Sequence, residues 1–146
     1  MKYAWIAVAA LGLGVPALAA PAPVSKLDVV ERAETDKVSV KAGTAEDNVG
    51  DVQTFTNPIY DAANATKIGS DQGYCVRLIV GKMWECHWTT TLAKGQIMVD
   101  GPVADSGDTM LAITGGTGAY RGTRGELLLH PRDAKATGYD FHFRLQ

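Results

Sequence analysis

Short apolar stretches alternate with polar, glycine-rich turns along most of this chain. Over residues 139–145, aromatic or leucine side chains occupy every second position, with Asp, His and Arg between them. A period of two is typical of a β-strand that buries one face. The same pattern predicts eight strands, near residues 28–34, 51–60, 66–80, 83–92, 95–99, 109–114, 120–130 and 139–145. Strands this short and this closely spaced indicate an all-β barrel or sandwich.

Two regions leave alternatives open. Residues 35–50, rich in Thr, Lys, Ala, Gly and Asp, have little strand character and are expected to form a flap near one mouth of a barrel. The aromatic face of residues 139–145 has two possible places, the lumen of the barrel or a contact with another subunit.

The first twenty residues differ in character from the rest. Lys2 precedes an apolar run that ends in Ala17-Leu18-Ala19-Ala20, a small-residue cleavage site. Residues 1–20 are therefore predicted to be a secretory signal peptide. Two glycines and a proline interrupt the run, which is shorter than the roughly 20 apolar residues of a membrane-spanning helix. We expect a secreted or periplasmic protein with a linker at 21–26, one domain at 27–146, and no membrane contact in its mature form.

Charge and motif spacing narrow the possible partners. The formal net charge is −2, whereas nucleic-acid binding needs a basic patch, so no nucleic-acid partner is predicted. His87, His130 and His142 fall on three different predicted strands, which does not match the close ligand spacing of a zinc site. The sequence predicts neither a metal nor a cofactor.

A glycine-rich stretch joins the two predicted strands at 109–114 and 120–130. Its glycines stand at Gly115, Gly116, Gly118, Gly122 and Gly125. The spacing matches neither a Walker loop nor a dinucleotide fingerprint, and a strand rather than a helix is predicted to follow. Glycine is required where the backbone bends too sharply for a Cβ. These five residues are interpreted as a structural turn at a corner of a curved sheet.

The two cysteines, Cys75 and Cys86, lie on neighbouring predicted strands. A hairpin turn centred on Val80-Gly81 places them directly opposite one another. Opposed residues on antiparallel strands are close enough to be bridged, and export favours oxidation. A disulfide is therefore favoured.

Three blocks of this sequence resemble the allene oxide cyclase and dirigent families over about residues 28–145. The glycine-rich stretch is similar to their T/V-GG-T/S-G turn followed by R-x-x-x-G. Residues 50–61 resemble the GD-x-x-x-F-x-N-x-x-Y run of plant allene oxide cyclases, and residues 68–75 the IG-x-x-x-G-x-C segment after it. Residues 95–102 resemble a G-x-hydrophobic-x-V-Q-G-P strand of the same family.

The resemblance implies a single antiparallel eight-stranded β-barrel, calycin-like in form, whose lumen holds a small apolar molecule. It implies homo-oligomers, commonly trimers. Asn57 matches a cavity Asn of the family, although beside Pro58 it is also a plausible strand-end turn residue. Asp28 falls where the family has a Glu that stabilises positive charge, and Val30 where it has a second Asn.

The same comparison implies further ligand contacts at Phe55, Tyr60 and Cys75. A cavity-lining role for Cys75 is the alternative to its disulfide. Relative to dirigent proteins, Asn57 replaces an expected Asp and Ser70 an expected Arg, which argues against radical coupling.

Three functions fit these features. The first is an isomerase or cyclase that steers a reactive precursor by confinement, with Asn57 as the polar anchor and Asp28 as the charge stabiliser. The second is a non-catalytic, lipocalin-like binding protein. The third is a structural barrel whose lumen is filled with side chains.

Overall fold

Each long stretch of alternating residues forms a strand in the computed structural model, which describes residues 25–146. The elements are β1 (Ser25–Arg32), β2 (Lys37–Val40), β3 (Val52–Asp61), β4 (Lys67–Ile79), β5 (Met83–Leu92), β6 (Gly95–Ala104), β7 (Thr109–Gly116), a 3-10 turn (Gly118–Tyr120), β8 (Gly125–Pro131) and β9 (Gly138–Leu145). The predicted signal peptide at 1–20 and linker residues 21–24 lie outside the described residues. Ser25 and Lys26, predicted to belong to the linker, instead begin β1.

The strands close into a barrel through β1 and β3. Neighbouring strands pair in the order β1-β9-β8-β7-β6-β5-β4-β3-β2, and β1 pairs in addition with β3. This pairing sets Val30 opposite Tyr60 and Glu31 opposite Ile59. Eight strands thus form a closed antiparallel barrel, and β2 is an extra strand on β3. The predicted all-β, eight-stranded barrel is confirmed, and closure gives each of its eight strands a neighbour on both sides.

One half of the lumen is filled by side chains. The inward residues of this half come from every barrel strand except β4 and β5, and they include Val29, Ile59, Ile97, Val99, Leu111, Ile113, Leu127, Phe143 and Leu145. Phe141 and Phe143 are buried, so the aromatic face of β9 points into the lumen rather than toward a subunit contact. Within residues 25–146, no helix has the length and apolar character needed to cross a membrane.

The segment 35–50, predicted to be a flap, lies along β3 and is tied to the barrel. Asp51 is fully buried and accepts hydrogen bonds from Lys41 Nζ at 2.8 Å and from the Ala42 amide at 2.7 Å. The hydrogen bond from Lys41, more than any other contact, lowers the pKa of Asp51 to about 2. Asp47 forms a second tie through an ion pair of 2.8 Å with Arg77. The Gly-Asp pair at 50–51 therefore anchors this segment.

The glycine-rich stretch lies at the end of the barrel opposite the hollow half. Gly115 and Gly116 end β7, and Gly125 begins β8. The prediction of a strand from residue 120 was wrong, because the chain first makes a 3-10 turn. Gly118 has a φ of +59°, and a Cβ there would lie 2.4 Å from the Lys94 carbonyl oxygen.

Gly116 is needed for a different reason than predicted. Its φ is not positive, but a Cβ would lie 2.4 Å from the carbonyl oxygen of Tyr120. Close approach of the backbone, rather than its dihedral angles, excludes a side chain at this position. Gly122, with a φ of +75°, faces open space.

Strand β6 continues beyond its predicted end at residue 99. It reaches Ala104 through Gly101-Pro102, where the sequence indicates a stop. Beyond Asp100, β6 pairs with β5 but no longer with β7. Pro102 thus lies where one edge of β6 has no partner strand, a position that tolerates proline.

Candidate active site

The hollow half of the barrel contains a cavity of about 180 Å³. Its apolar wall consists of Phe55, Trp84, Trp88, Val103, Leu129, Tyr139 and Phe141. Its polar wall consists of four carboxyl side chains, those of Glu31, Asp36, Asp71 and Asp105, together with Gln53. A protein cavity of roughly 150 Å³ holds benzene, so this lumen has room for a ligand of one or two fused rings.

Glu31 and Asp71 form the centre of the polar wall. Their exposed fractions are 4% and 1%, and they reach the lumen from β1 and β4 on either side of β3. Burial first, and repulsion by Asp71 second, raise the pKa of Glu31 well above its usual range. Burial raises the pKa of Asp71 to about 7, and the charge of Asp36 adds to this effect. Burial and mutual repulsion therefore disfavour a state in which both carboxyls are ionised.

Asn57 holds this pair in place and has no free polar atom to offer a ligand. Its Nδ2 donates to Glu31 Oε1 and to Asp36 Oδ1, both at 2.6 Å. Its Oδ1 accepts from the backbone amides of Glu34 and Thr35 at 3.0 and 2.9 Å. The side chain is 1% exposed. Asn57 thus lies beside the predicted site, but as a positioning residue that joins the β1–β2 turn to the carboxyls.

Tyr139 and Asp36 complete the polar wall. Tyr139 pairs directly with Glu31 across β1 and β9, and burial, followed by the charge of Glu31, raises its pKa to about 12. The phenol therefore stays protonated. Burial also raises the pKa of Asp36, against the opposing effect of its hydrogen bond from Asn57.

The disulfide predicted between Cys75 and Cys86 is confirmed. The two residues face one another in the register of β4 and β5, and both also line the cavity. Cys75 thus both forms the disulfide and lines the cavity, two roles that the sequence analysis treated as alternatives. Cys75 contributes a disulfide sulfur, not a thiol, to the wall.

Asp28 does not reach the cavity. Its carboxylate accepts a hydrogen bond of 2.8 Å from the His142 ring on the outer face of the barrel. Because Leu27, Val29 and Glu31 face inward, the residues between them face outward. The predicted charge stabiliser is therefore misplaced, and Glu31 is the acid that β1 supplies to the lumen.

Of the two predicted aromatic contacts, only Phe55 lines the cavity. Tyr60 lies on the outer face, where the Arg32 guanidinium stacks on its ring at 3.6 Å from the centroid. The alternation of β3 separates them, since Phe55, Asn57 and Ile59 point inward.

The three histidines lie outside the barrel, each beside an aspartate. His87 pairs with Asp100 and His130 with Asp108, at 2.8 and 2.6 Å. Among residues 25–146, no group of three or more His, Cys, Asp or Glu side chains is arranged to hold a metal ion.

Sequence reasoning missed Glu31, Asp71 and Tyr139. A signal was present for Tyr139, which begins the aromatic face of the last strand, whereas Glu31 joins it only through the pairing of β1 with β9. Asp71 carried no such signal. It faces the lumen only because β3 and β4 pair Asn57 with Asp71.

The sequence model of one family, described as allene oxide cyclase, matches residues 20–132 of this chain. Solved structures of similar fold include a pyocyanin demethylase at 24% identity, with a TM-score of 0.66 over 84% of this chain and 100% of the other. A pterocarpan synthase dirigent protein is 14% identical, with a TM-score of 0.69 over 85% of this chain and 94% of that one. An exo-specific intermolecular Diels-Alderase is 15% identical, with a TM-score of 0.61 over 83% of this chain and 98% of that one. At these identities the structural likeness establishes the barrel fold alone.

Proposed function

This chain belongs to the allene oxide cyclase family, and we propose that its barrel binds a small, largely apolar molecule and steers its isomerisation or cyclisation. The observation that carries the proposal is the buried pair of carboxyls, Glu31 and Asp71, at one wall of an otherwise aromatic cavity. The neighbouring structures whose names describe a synthase dirigent protein and a Diels-Alderase support a steering role for such a barrel.

The pair supplies both an acid and a base. With one proton shared between Glu31 and Asp71, the protonated carboxyl donates to one atom of the ligand and the carboxylate removes a proton from another. The proton count of the protein is unchanged, and the two carboxyls exchange roles. Asn57 keeps the acid in position through its 2.6 Å hydrogen bond to Glu31, and a carboxylate near the ligand also stabilises positive charge that develops on it.

The aromatic wall contributes confinement. Phe55, Trp88 and Phe141 form a connected set, with ring centroids 6.4 Å apart for the first two and 5.7 Å for the last two. Rings fixed in this way restrict a flexible precursor to few conformations, which lowers the entropic part of a cyclisation barrier.

A deuterium experiment tests the proposal. Native mass spectrometry of the purified protein identifies the small molecule that copurifies, and that molecule is then incubated with the protein in D₂O. We expect rearrangement or deuterium incorporation with the wild type, slowed by a factor of roughly 10²–10⁴ in Glu31→Gln. Asp100→Asn on the outer face is the matched control and should behave like the wild type. A ligand that stays bound, unchanged and without deuterium in the wild type would instead establish the lipocalin-like binding function.

Export and assembly are part of the proposal. The confirmed disulfide favours an oxidising compartment, in line with the signal peptide predicted at 1–20. Terminal sequencing of exported protein should give a start near Ala20 or Pro21, and an intact Met1 would contradict it. The same native mass spectra measure whether the chain forms the trimer that its family resemblance implies.

A further inference from the structure

The cavity is lined by more carboxyl groups than there are cationic groups to pair with them. Of its four carboxyl side chains, only Asp105 has a cationic partner, Arg77 at 2.5 Å. No Lys, Arg or His side chain lines the cavity within the described part of the chain. Buried carboxylates without a cation are costly. With a neutral ligand, the buried Glu31 and Asp71 avoid this cost only by remaining protonated, whereas a cationic ligand allows them to ionise.

The aromatic wall suits a cation equally well. Rings attract a positive charge that lies over their faces, and cages of several rings bind N-alkylated cations. The protein already uses one ring of the wall in this way, since the Arg77 guanidinium lies 3.9 Å from the centroid of Trp84. Phe55, Trp88 and Phe141 present further rings around the same space.

Two buried polar groups at the cavity are under-satisfied among residues 25–146. The indole N–H of Trp88 is unpaired, and the carboxyl of Asp71 has no side-chain partner apart from the carboxyl of Glu31. The two residues are 1% and 3% exposed and both line the cavity. Buried polar atoms are normally paired, so these atoms point to a polar ligand. Asp71 accepts from or neutralises a positive group, and Trp88 donates to an acceptor atom.

We propose that this lumen selects a compact aromatic cation, of one or two fused rings bearing a quaternary or protonated nitrogen, over a neutral molecule of the same shape. The inference concerns the same cavity as the proposed function and narrows the chemical class of its ligand. The expected ligand is then not purely apolar. Its ring packs against the aromatic wall, and its positive charge faces Glu31, Asp36 and Asp71.

Ligand binding is then coupled to proton release. The groups that face Asp71 are Glu31 on β1, Asp36 before β2, Asn57 on β3 and Tyr139 on β9, while Arg77 is engaged by Asp47 and Asp105. A cation favours the ionised form of the carboxyls, so its affinity rises with pH through the range in which Asp71 titrates, near 7.

Isothermal titration calorimetry with two probes of nearly equal shape tests the selectivity. The probes are 1-methylquinolinium, a cation, and 1-methylnaphthalene, its neutral counterpart. At pH 8 we expect the wild type to bind the cation at least about tenfold more tightly, as a cation–π contact together with an unpaired carboxylate suggests. At pH 7, the heat of cation binding should depend on the ionisation enthalpy of the buffer, because protons are released.

Two variants locate the effect. Asp71→Asn removes one charge inside the cavity and should weaken the cation by roughly tenfold while leaving the neutral probe unchanged. Asp100→Asn removes one charge from the outer face, where Asp100 pairs with His87, and should change neither affinity. Asp36→Asn, at the more exposed edge of the cavity, provides a second variant of the polar wall if Asp71→Asn fails to fold.

Three results would overturn the inference: equal or tighter binding of the neutral probe, no binding of the cation, or an equal loss in Asp100→Asn. Tight binding of the neutral probe alone would leave the proposed steering of an apolar molecule intact. Rearrangement or deuterium exchange in the copurified molecule is measured separately, so failure of either proposal is recognisable without the other.

Discussion

Asn57 donates a hydrogen bond of 2.6 Å from Nδ2 to Glu31 Oε1, and its Oδ1 accepts two backbone amides from the turn that follows β1. One buried amide thus connects an acid of the cavity to the segment at its mouth. The order of the site and the stability of the β1–β2 turn therefore depend on the same side chain.

Asn57→Ala should destabilise the protein by about 2–3 kcal/mol, because it leaves the buried carboxyl of Glu31 and two backbone amides of the β1–β2 turn without their partner. This differs from the behaviour of a cavity anchor, whose loss affects ligand more than fold. Gln96→Ala is the control, since its amide makes only two long contacts of 3.4 Å, with Thr91 and Thr117; it should stay within about 0.5 kcal/mol of the wild type. Urea denaturation measures both, and an Asn57→Ala variant as stable as the wild type would contradict the positioning role.

The buried carboxyls should make the protein less stable as the pH rises. The folded-state pKa of Asp71 is raised from 3.8 to about 7, so between these values the folded state binds more protons than the unfolded state. Stability therefore falls through this range. Asp51 has a lowered pKa of about 2 and contributes stability that is lost only at more acidic pH.

Thermal melts at pH 5 and pH 8 test this dependence. We expect the wild-type melting temperature to be several degrees lower at pH 8. In Asp71→Asn the side chain at position 71 is uncharged at both pH values, so the variant should lose much of the difference in melting temperature. Asp100→Asn is the control and should keep that difference. An Asp71→Asn variant with the full wild-type dependence would exclude Asp71 as its source.

The disulfide should stabilise the barrel and shape the cavity. It closes a loop of 11 residues, for which the chain-entropy model gives about 3 kcal/mol. The double variant Cys75→Ala/Cys86→Ala should lose about that much and should also bind ligands of the lumen more weakly, because both residues line it. Reducing agent should lower the melting temperature of the wild type but not of the double variant. Free thiols in denatured, unreduced protein would show that the bridge is absent.

The glycine-rich turn should affect stability without affecting the site. Gly118→Ala meets both a φ of +59° and a backbone oxygen at 2.4 Å, whereas Gly122→Ala meets a φ of +75° in open space. We expect a loss of about 1 kcal/mol in Gly122→Ala and a larger loss, up to about 3 kcal/mol, in Gly118→Ala. Probe affinity at the opposite end of the barrel should be unchanged in any variant that folds. Equal losses in the two variants would show that steric contact plays no part.

Local features of the chain predicted much of the barrel. Alternation with a period of two is a property of the strand itself, so the eight barrel strands and the shared face of Phe141 and Phe143 were accessible from the sequence. Only the structure decided that this face points into the lumen. Hairpin geometry depends only on the turn between two strands, which is why the Cys75–Cys86 bridge was predicted correctly. The glycine spacing likewise excluded a phosphate loop.

The site needed the tertiary structure. Asp28 and Glu31 stand three residues apart on one strand, so their side chains face opposite sides of the sheet. The pairing of β1 with β9 and with β3 decides which of the two enters the lumen. Asp71 joins Glu31 because barrel closure brings β1 to one side of β3 while β4 lies on the other. The sequence by itself determined most of the barrel strands, the β4–β5 hairpin and the disulfide, since these depend on near neighbours. Tertiary structure decided which carboxyls are buried together, and so which pKa values are raised, because burial and mutual repulsion arise only when distant strands share one interior.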